Sequence, residues 1–284
     1  MDQEQGRVVI LADTHFGRSD GGGARSVAAL RPLWRGCDRL IFNGDVAEVH
    51  DASLRGEAAR AVLEIQQACD EDGVDVTFLS GNHDPLLSDQ RYLSLCNDEV
   101  FVTHGDILHP AISPWTGHAK QVAEMNREAL ACLEREGTPE QDRPFDAAQH
   151  AAFRKWSPAP SGQRPPRPAR LGGKAGMAWK VAKVLWYWHC LPREANRFAQ
   201  RYAPSSRFFV FGHIHRAGVW SFGDRVVMNT GAYDRISRPH AVVIENGCIK
   251  HWPIRFDDAL GVYALAQSPR AVFALAQGDT VAAA

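Results

Sequence analysis

The chain has 284 residues, enough for one large domain with a sizeable core, and its 45% apolar and 23% charged content is that of a globular protein. Lys plus Arg is 32 and Asp plus Glu is 33, so the formal net charge of -1 excludes a generally basic nucleic-acid binder. No apolar run approaches the ~18 residues of a transmembrane helix. The opening Met1-Asp2-Gln3-Glu4-Gln5 lacks the basic region of a signal peptide. The six cysteines form no C-x-x-C pair, which fits free thiols in a reducing cytoplasm.

In chain order, Arg7 to Ala12, Arg39 to Phe42, Val74 to Leu79 and Val100 to Thr103 read as buried strands bounded by turn residues. Helical patterns separate them: Ala24 to Trp34, Leu54 to Asp70 and Pro85 to Cys96, the last with Asp84 as a potential N-cap. Such alternation predicts βαβ units and a mostly parallel sheet. The stretch from Gly105 to Gly212 far exceeds the ~30 residues of a βαβ unit, so most of it is an insertion. Within it, Gly117 to Glu136 is helical with Val122, Met125, Ala129 and Leu133 on one stripe. A Pro-rich connector follows over 157–168, then a Trp-rich helix from Met177 that Pro192 is expected to break or bend before Tyr202. Phe208 to Phe211 is another strand. Val219 to Phe222 with Val226 to Met228, and Ala241 to Glu245 with Cys248 to Trp252, read as hairpins around Gly223-Asp224 and Asn246-Gly247. The back half is therefore expected to be antiparallel, in a second sheet packed on the first. The Ala-rich end from Asp257 to Ala284 reads as a helix.

Polar residues recur where the strands end: Asp13-Thr14-His15, Asn43-Gly44-Asp45, Gly81-Asn82-His83-Asp84, His104-Gly105-Asp106 and Gly212-His213-Ile214-His215. Open α/β sheets place ligand sites at such ends. On an extended segment, D-x-H and H-x-H put alternate side chains on one side. Carboxylate, imidazole and amide oxygen together suit divalent ions of the first transition row.

These five blocks resemble the calcineurin-like metallophosphoesterases, whose pattern is D-x-H, G-D, G-N-H-D/E, H and G-H-x-H; they span roughly residues 7–110 and 207–252. The resemblance implies an α/β fold, a four-layer αββα sandwich, forming one domain over 1–284 with a helical cap inserted at 106–206. It implies two divalent metal ions, manganese first, with iron, zinc, cobalt or nickel as alternatives. Carried over by position, Asp13, His15 and His215 would hold one metal, Asn82, His104 and His213 the other, and Asp45 would bridge them. A metal-bridged hydroxide would attack phosphorus, with His83 assisting the leaving group. Asn229-Thr230-Gly231 resembles the family's packing turn beside the site. The sequence departs from the protein Ser/Thr phosphatase branch, since Val46-Ala47-Glu48 follows Asp45 where that branch has Asp-Arg-Gly, and the third block ends in Asp84.

The insertion carries the substrate clue. Residues 154–207 hold 12 Lys or Arg and one acid, Glu194, along with Trp156, Trp179, Trp186 and Trp188. Met177, Val181, Val184, Leu185 and Trp188 form a helical stripe expected to pack on the domain. Trp179, Lys183 and Trp186 lie on another side, suited to an amphiphilic ligand or a membrane headgroup surface. Arg154, Lys180, Lys183, Arg193 and Arg197 are the expected substrate-binding cations. A cap of this kind resembles the UDP-2,3-diacylglucosamine pyrophosphohydrolases of lipid A synthesis, although His83 stands where they have Arg and Ile107-Leu108-His109-Pro110 lacks their Cys and paired acids. The expectation is an anionic, amphiphilic phosphodiester or pyrophosphate, cleaved in the cytoplasm or at the inner membrane face. A nuclease, a cyclic-nucleotide phosphodiesterase and a non-catalytic scaffold of the same fold are the alternatives.

Overall fold

A computed structural model describes residues 6–18, 22–156, 174–234 and 236–276. Strand β1 (Val8–Leu11) is buried on both faces: Val8 and Ile10 join the core between two sheets, and Val9 and Leu11 join a core beneath helices. It runs parallel to β2 (Arg39–Asn43), which runs parallel to β3 (Asp75–Leu79). On its other side β1 pairs antiparallel with β9 (His240–Glu245), which continues into β10 (Cys248–Asp257). Asn246 and Gly247 take the left-handed conformations that this two-residue hairpin requires.

The second sheet has the order β4 (Tyr92–Leu95), β5 (Val100–Thr103), β6 (Phe208–Phe211), β8 (Arg225–Asn229), β7 (Gly218–Phe222). Its middle strands β5, β6 and β8 are mutually parallel, and only the edges are antiparallel. The back half is thus not one antiparallel sheet. The β9–β10 hairpin extends the first sheet, and β7 occupies an edge so that β8 can return beside β6. Ile10, Ile41, Leu79, Val102, Val210 and Met228 fill the space between the sheets.

Outside the first sheet lie α1 (Val27–Leu30), capped by the Ser26 hydroxyl at 3.1 Å from Ala29 N, and α2 (Arg55–Asp72), closed by left-handed Gly73. Outside the second lies α5 (Lys174–Tyr202), whose Leu191, Ala195 and Ala199 pack on Phe101, Phe209 and Phe211. The four layers are αββα, as expected. The insertion adds α3 (Ala119–Arg135) and α4 (Arg143–Trp156), which pack through Ala129 and Leu133 on Ala147 and through Val122 on Ala151 and Ala152. The sequence reading has no counterpart to α4.

Three expectations are corrected. Pro85 to Cys96 is not a helix, because Leu93 and Leu95 face the inter-sheet core while Tyr92 faces the helices, the period of a strand. The Ala-rich end forms β11 (Val262–Leu265) and β12 (Ala271–Ala274), both pairing with the open edge of β10. Ladder hydrogen bonds there outweigh the helix propensity of alanine; residues 277–284 lie outside the described ones. Pro192 does not break α5. It lacks the N–H that would bond Trp188 O, and the Arg216 guanidinium donates to that carbonyl instead at 2.8 Å. The connector at 157–168 lies outside the described residues. Among those described, no helix is long and apolar enough to cross a membrane.

Candidate metal centre

The five polar blocks meet at the C-terminal ends of β1, β2, β3, β5 and β6, but they do not continue the strands. Asp13, His15, Asp45, His213 and His215 all have left-handed backbones, with φ of 54°, 46°, 50°, 69° and 54°. Side chains in D-x-H and H-x-H are therefore aimed by turns, not by the two-residue period of a strand. Each such residue costs about 1–2 kcal/mol and persists because its surroundings fix it. Asp13 N donates to Gly44 O at 3.2 Å, His15 N to Asp45 O at 3.0 Å, and His213 N to Asp13 Oδ2 at 2.9 Å. The approach is close enough that a Cβ on Gly212 would overlap the Asp13 carboxylate, and one on Gly81 would overlap Asp45.

Three donor groups result among the described residues, one of them His15, Glu48 and His83 and the other two holding the expected ligands. In the first of these two, His215 Nε2 lies 3.1 Å from His15 Nε2 and 3.3 Å from Asp13 Oδ1. In the second, His104 Nε2 lies 3.3 Å from Asp45 Oδ2, and His213 completes a set whose donor atoms are within 4.8 Å of one another. Asp45 Oδ2 is also 3.9 Å from His15 Nε2, so this carboxylate faces both clusters. Asn82 is buried and lines a cavity together with Asp45 and His213. Donor chemistry fits divalent cations: Asp13 Oδ1 and His104 Nε2 are buried with no hydrogen-bond partner, and ionised buried carboxylates need a compensating charge.

The outer nitrogens of these imidazoles are all engaged, which orients the inner ones. His104 Nδ1 donates to Asn43 O at 2.9 Å and His213 Nε2 to Ile112 O at 3.0 Å. His215 Nδ1 bonds Asp234 Oδ2 at 2.8 Å. Glu48 serves two histidines, with Oε1 at 3.0 Å from His15 Nδ1 and Oε2 at 2.7 Å from His83 Nδ1. Burial would raise the Glu48 carboxyl, but its bonds to His15 and His83 hold it at about 2. Burial would likewise lower His15, yet Asp13 and Glu48 raise it to about 10. His213 goes the other way, to about 3, through burial and the neighbouring His104. Asp84 is not a helix cap. Its carboxyl accepts from the N–H groups of Asp45, Val46 and Gly81 at 3.0, 2.6 and 2.8 Å, and burial together with Asp45 raises it to about 7. Asn229 braces the β6 turn through Gly212 O, which agrees with a packing role for Asn229-Thr230-Gly231.

A cavity of about 830 Å³ opens above both clusters. Val181, Val184, Leu185 and Trp188 of α5 form its apolar wall, so this stripe faces the cavity; Tyr187, Leu191, Ala195 and Ala199 make the packing face instead. His83 lines the cavity, as do Arg18 and Lys155, which the sequence reading did not single out. The expected substrate cations lie elsewhere. Arg154 pairs with Glu128 at 2.9 Å, Arg197 with Glu194 at 2.7 Å, and Arg193 contacts His189 at 3.2 Å. Lys183 sits over Trp179 in a separate groove, and the side chain of Lys180 lies outside the described residues. Glu48 and Asp234 also escaped the sequence reading. Their only signal was an acid just beyond a ligand block or turn, at Val46-Ala47-Glu48 and Gly231-Ala232-Tyr233-Asp234.

No family model matches the chain, and no curated protein matches it. Among solved structures it is similar to a dimetal phosphatase from Danio rerio, with a TM-score of 0.44 and 12% identity over 87% of this chain and 95% of that one. It is also similar to vacuolar protein sorting 29 from Cryptosporidium parvum, with a TM-score of 0.41 and 11% identity over 95% and 98%. A predicted phosphoesterase from Streptococcus pneumoniae gives a TM-score of 0.35 and 14% identity over 93% and 98%.

Proposed function

We propose that the chain is a dimetal-dependent hydrolase of a phosphodiester or pyrophosphate bond in an amphiphilic substrate. The observation that carries this reading is the placement of Asp45 between two Asp/His clusters on the floor of a cavity with an apolar wall. Asp13, His15 and His215 would hold one cation, Asn82, His104 and His213 the other, and Asp45 both. Manganese is the first choice, with iron, zinc, cobalt and nickel as alternatives. Such a pair supplies Lewis acidity at phosphoryl oxygens and a hydroxide nucleophile near neutral pH.

The chain's own residues do the rest. The His83 N–H donates to Asp45 Oδ1 at 2.8 Å and fixes the bridging carboxylate. Glu48 holds His83 by Nδ1, so Nε2 is the nitrogen that delivers a proton to the leaving oxygen. Lys155, half-buried near Asp45 and Glu48, sets a positive charge against the phosphoryl group, and Arg18 does so from the loop after β1. The apolar wall of α5 takes the rest of the substrate, so residues 106–206 act as a cap through α4 and the first half of α5. Trp179 and Trp186, exposed at 63% and 70% on α5, suit collection of that substrate from a membrane surface. A nuclease fits less well, because Arg154 and Arg197 are taken up by acids of the insertion itself.

The test is a screen of the metal-loaded chain against bis-p-nitrophenyl phosphate, cyclic nucleotides, nucleotide sugars and UDP-acyl-glucosamines, run beside liposome co-sedimentation. Metal-dependent turnover that favours acylated substrates is expected. Activity limited to small soluble diesters, without liposome binding, removes the amphiphile. No turnover with any of the five metals in a folded, loaded sample leaves the scaffold reading in its place.

A further inference from the structure

Asp234 borders two cavities. One holds the donor clusters. The other, about 810 Å³, is bordered by Arg25, Arg238, Arg255 and Arg270, with His240 and Phe256 among its walls. These arginines come from separate segments: the approach to α1, the β8–β9 connection, β10 itself and the approach to β12. Only folding brings them together.

The nearby acids are already used. Asp234 bonds His215 Nδ1 and accepts from the N–H groups of Ile236 and Ser237 at 2.8 and 2.5 Å. Asp258 pairs with Arg25 at 3.4 Å. Among the described residues, no carboxylate lies within ion-pair distance of Arg238, Arg255 or Arg270. Like charges gathered without a counter-charge raise the local potential and concentrate anions. The buried imidazole of His240 borders this field: burial lowers its pKa most, its bond to Arg238 O raises it, and the charges of Arg270 and Arg238 lower it again. Arg25 is ordered beforehand, stacked 3.6 Å over the Phe256 ring, with its N–H donating to the Tyr263 hydroxyl at 3.3 Å.

One phosphate satisfies one or two guanidinium forks. Four arginines around a space of small-ligand size call for a longer anion. We propose that this pocket is a second, non-catalytic site that binds a compact polyphosphate of two or more linked phosphates, either inorganic or carried by a nucleoside. The inference does not depend on the hydrolase reading.

The test is calorimetric titration of the full chain with inorganic triphosphate, ATP and orthophosphate. Chelator is present, so that no bound cation recruits phosphate to the first cavity, and the Arg255 and Arg270 substitutions report on the second cavity alone. One triphosphate should bind per chain, weakening as salt rises and at least tenfold tighter than orthophosphate. The double substitution Arg255→Ala and Arg270→Ala should weaken it at least tenfold. Arg154→Ala with Arg197→Ala, which removes the same charge elsewhere, should leave it unchanged, and both doubles should keep the wild-type melting temperature. ATP binding more tightly than triphosphate assigns a nucleoside contact; equal affinities assign the phosphate chain alone. Absence of binding, equal loss in both doubles, or orthophosphate binding as tightly as triphosphate would overturn the proposal.

Discussion

Asp45 and Glu48 stand three positions apart and divide the work of the site. Asp45 faces both donor clusters, so Asp45→Ala is expected to lose bound metal and turnover together, read by elemental analysis beside the rate. His83 is held by Glu48 and is not one of the proposed ligands. His83→Ala should keep its metal content and lose ~10²–10⁴ in turnover; near-wild-type turnover would remove its role as proton donor. Glu48→Gln separates from both, because that carboxylate orients a proposed ligand, His15, as well as His83. It should weaken metal binding ~10–100-fold and also slow the loaded enzyme. Lys155→Gln should raise KM with metal content unchanged, and Lys155→Arg should restore part of the loss. The seven proposed ligands were legible because their residue types and order are chemically restrictive. Glu48, Asp234 and Lys155 were not, since an acid or lysine near a motif is ordinary until burial and a partner are known.

Among the elements, α5 has two faces with two duties. Leu191 belongs to the core against Phe209 and Phe211, so Leu191→Ala should cost ~2–5 kcal/mol in urea unfolding while sparing KM. Leu185 is 54% exposed on the cavity wall, so Leu185→Glu should leave stability within ~0.5 kcal/mol and reduce turnover of acylated substrates. Equal effects of both changes on stability would contradict this division. Helical periodicity located the apolar positions of α5 but could not say which stripe meets the sheet and which meets solvent. Both are apolar, and only the position of the Phe-rich β6 decides. The errors at Pro85–Cys96 and over the described residues 257–276 have a related cause. Short segments with weak preferences become strands when a neighbouring strand offers an unpaired edge.

For the whole molecule, five left-handed residues and several buried carboxylates surround the proposed cation sites. Chelation is expected to lower Tm, and readdition to restore it, with a concentration dependence that follows linkage. Acid sensitivity has a separate source in the stacked pair His240 and His251, with ring centroids 4.6 Å apart. Burial, with the charges of His240 and Arg270, holds His251 at about 3, against ~6.5 in the unfolded chain. Between those values the unfolded state binds more protons. The contribution of His251 is therefore fully present above pH ~6.5 and falls towards pH 3, by at most ~1.36 kcal/mol per pH unit, and His213, also held at about 3, adds a loss of the same sign. Urea unfolding in chelator should show that slope, and His251→Gln should reduce it.

By itself the sequence determined the chemistry and its order: five polar blocks at strand ends, separated by segments with the right periodicity to build α/β layers. That information is local, because the donor type of each block is set by a few adjacent residues, whereas the left-handed turns that aim the donors are fixed by distant backbone partners. The tertiary structure decided what depends on distant partners. It placed β9 and β10 in the first sheet, turned one stripe of α5 over the cavity of the donor clusters, set Glu48 between two histidines, and drew arginines from four segments to one pocket. Near-zero net charge hid that last grouping completely. A sum over the chain carries no positions, and electrostatic attraction depends on them.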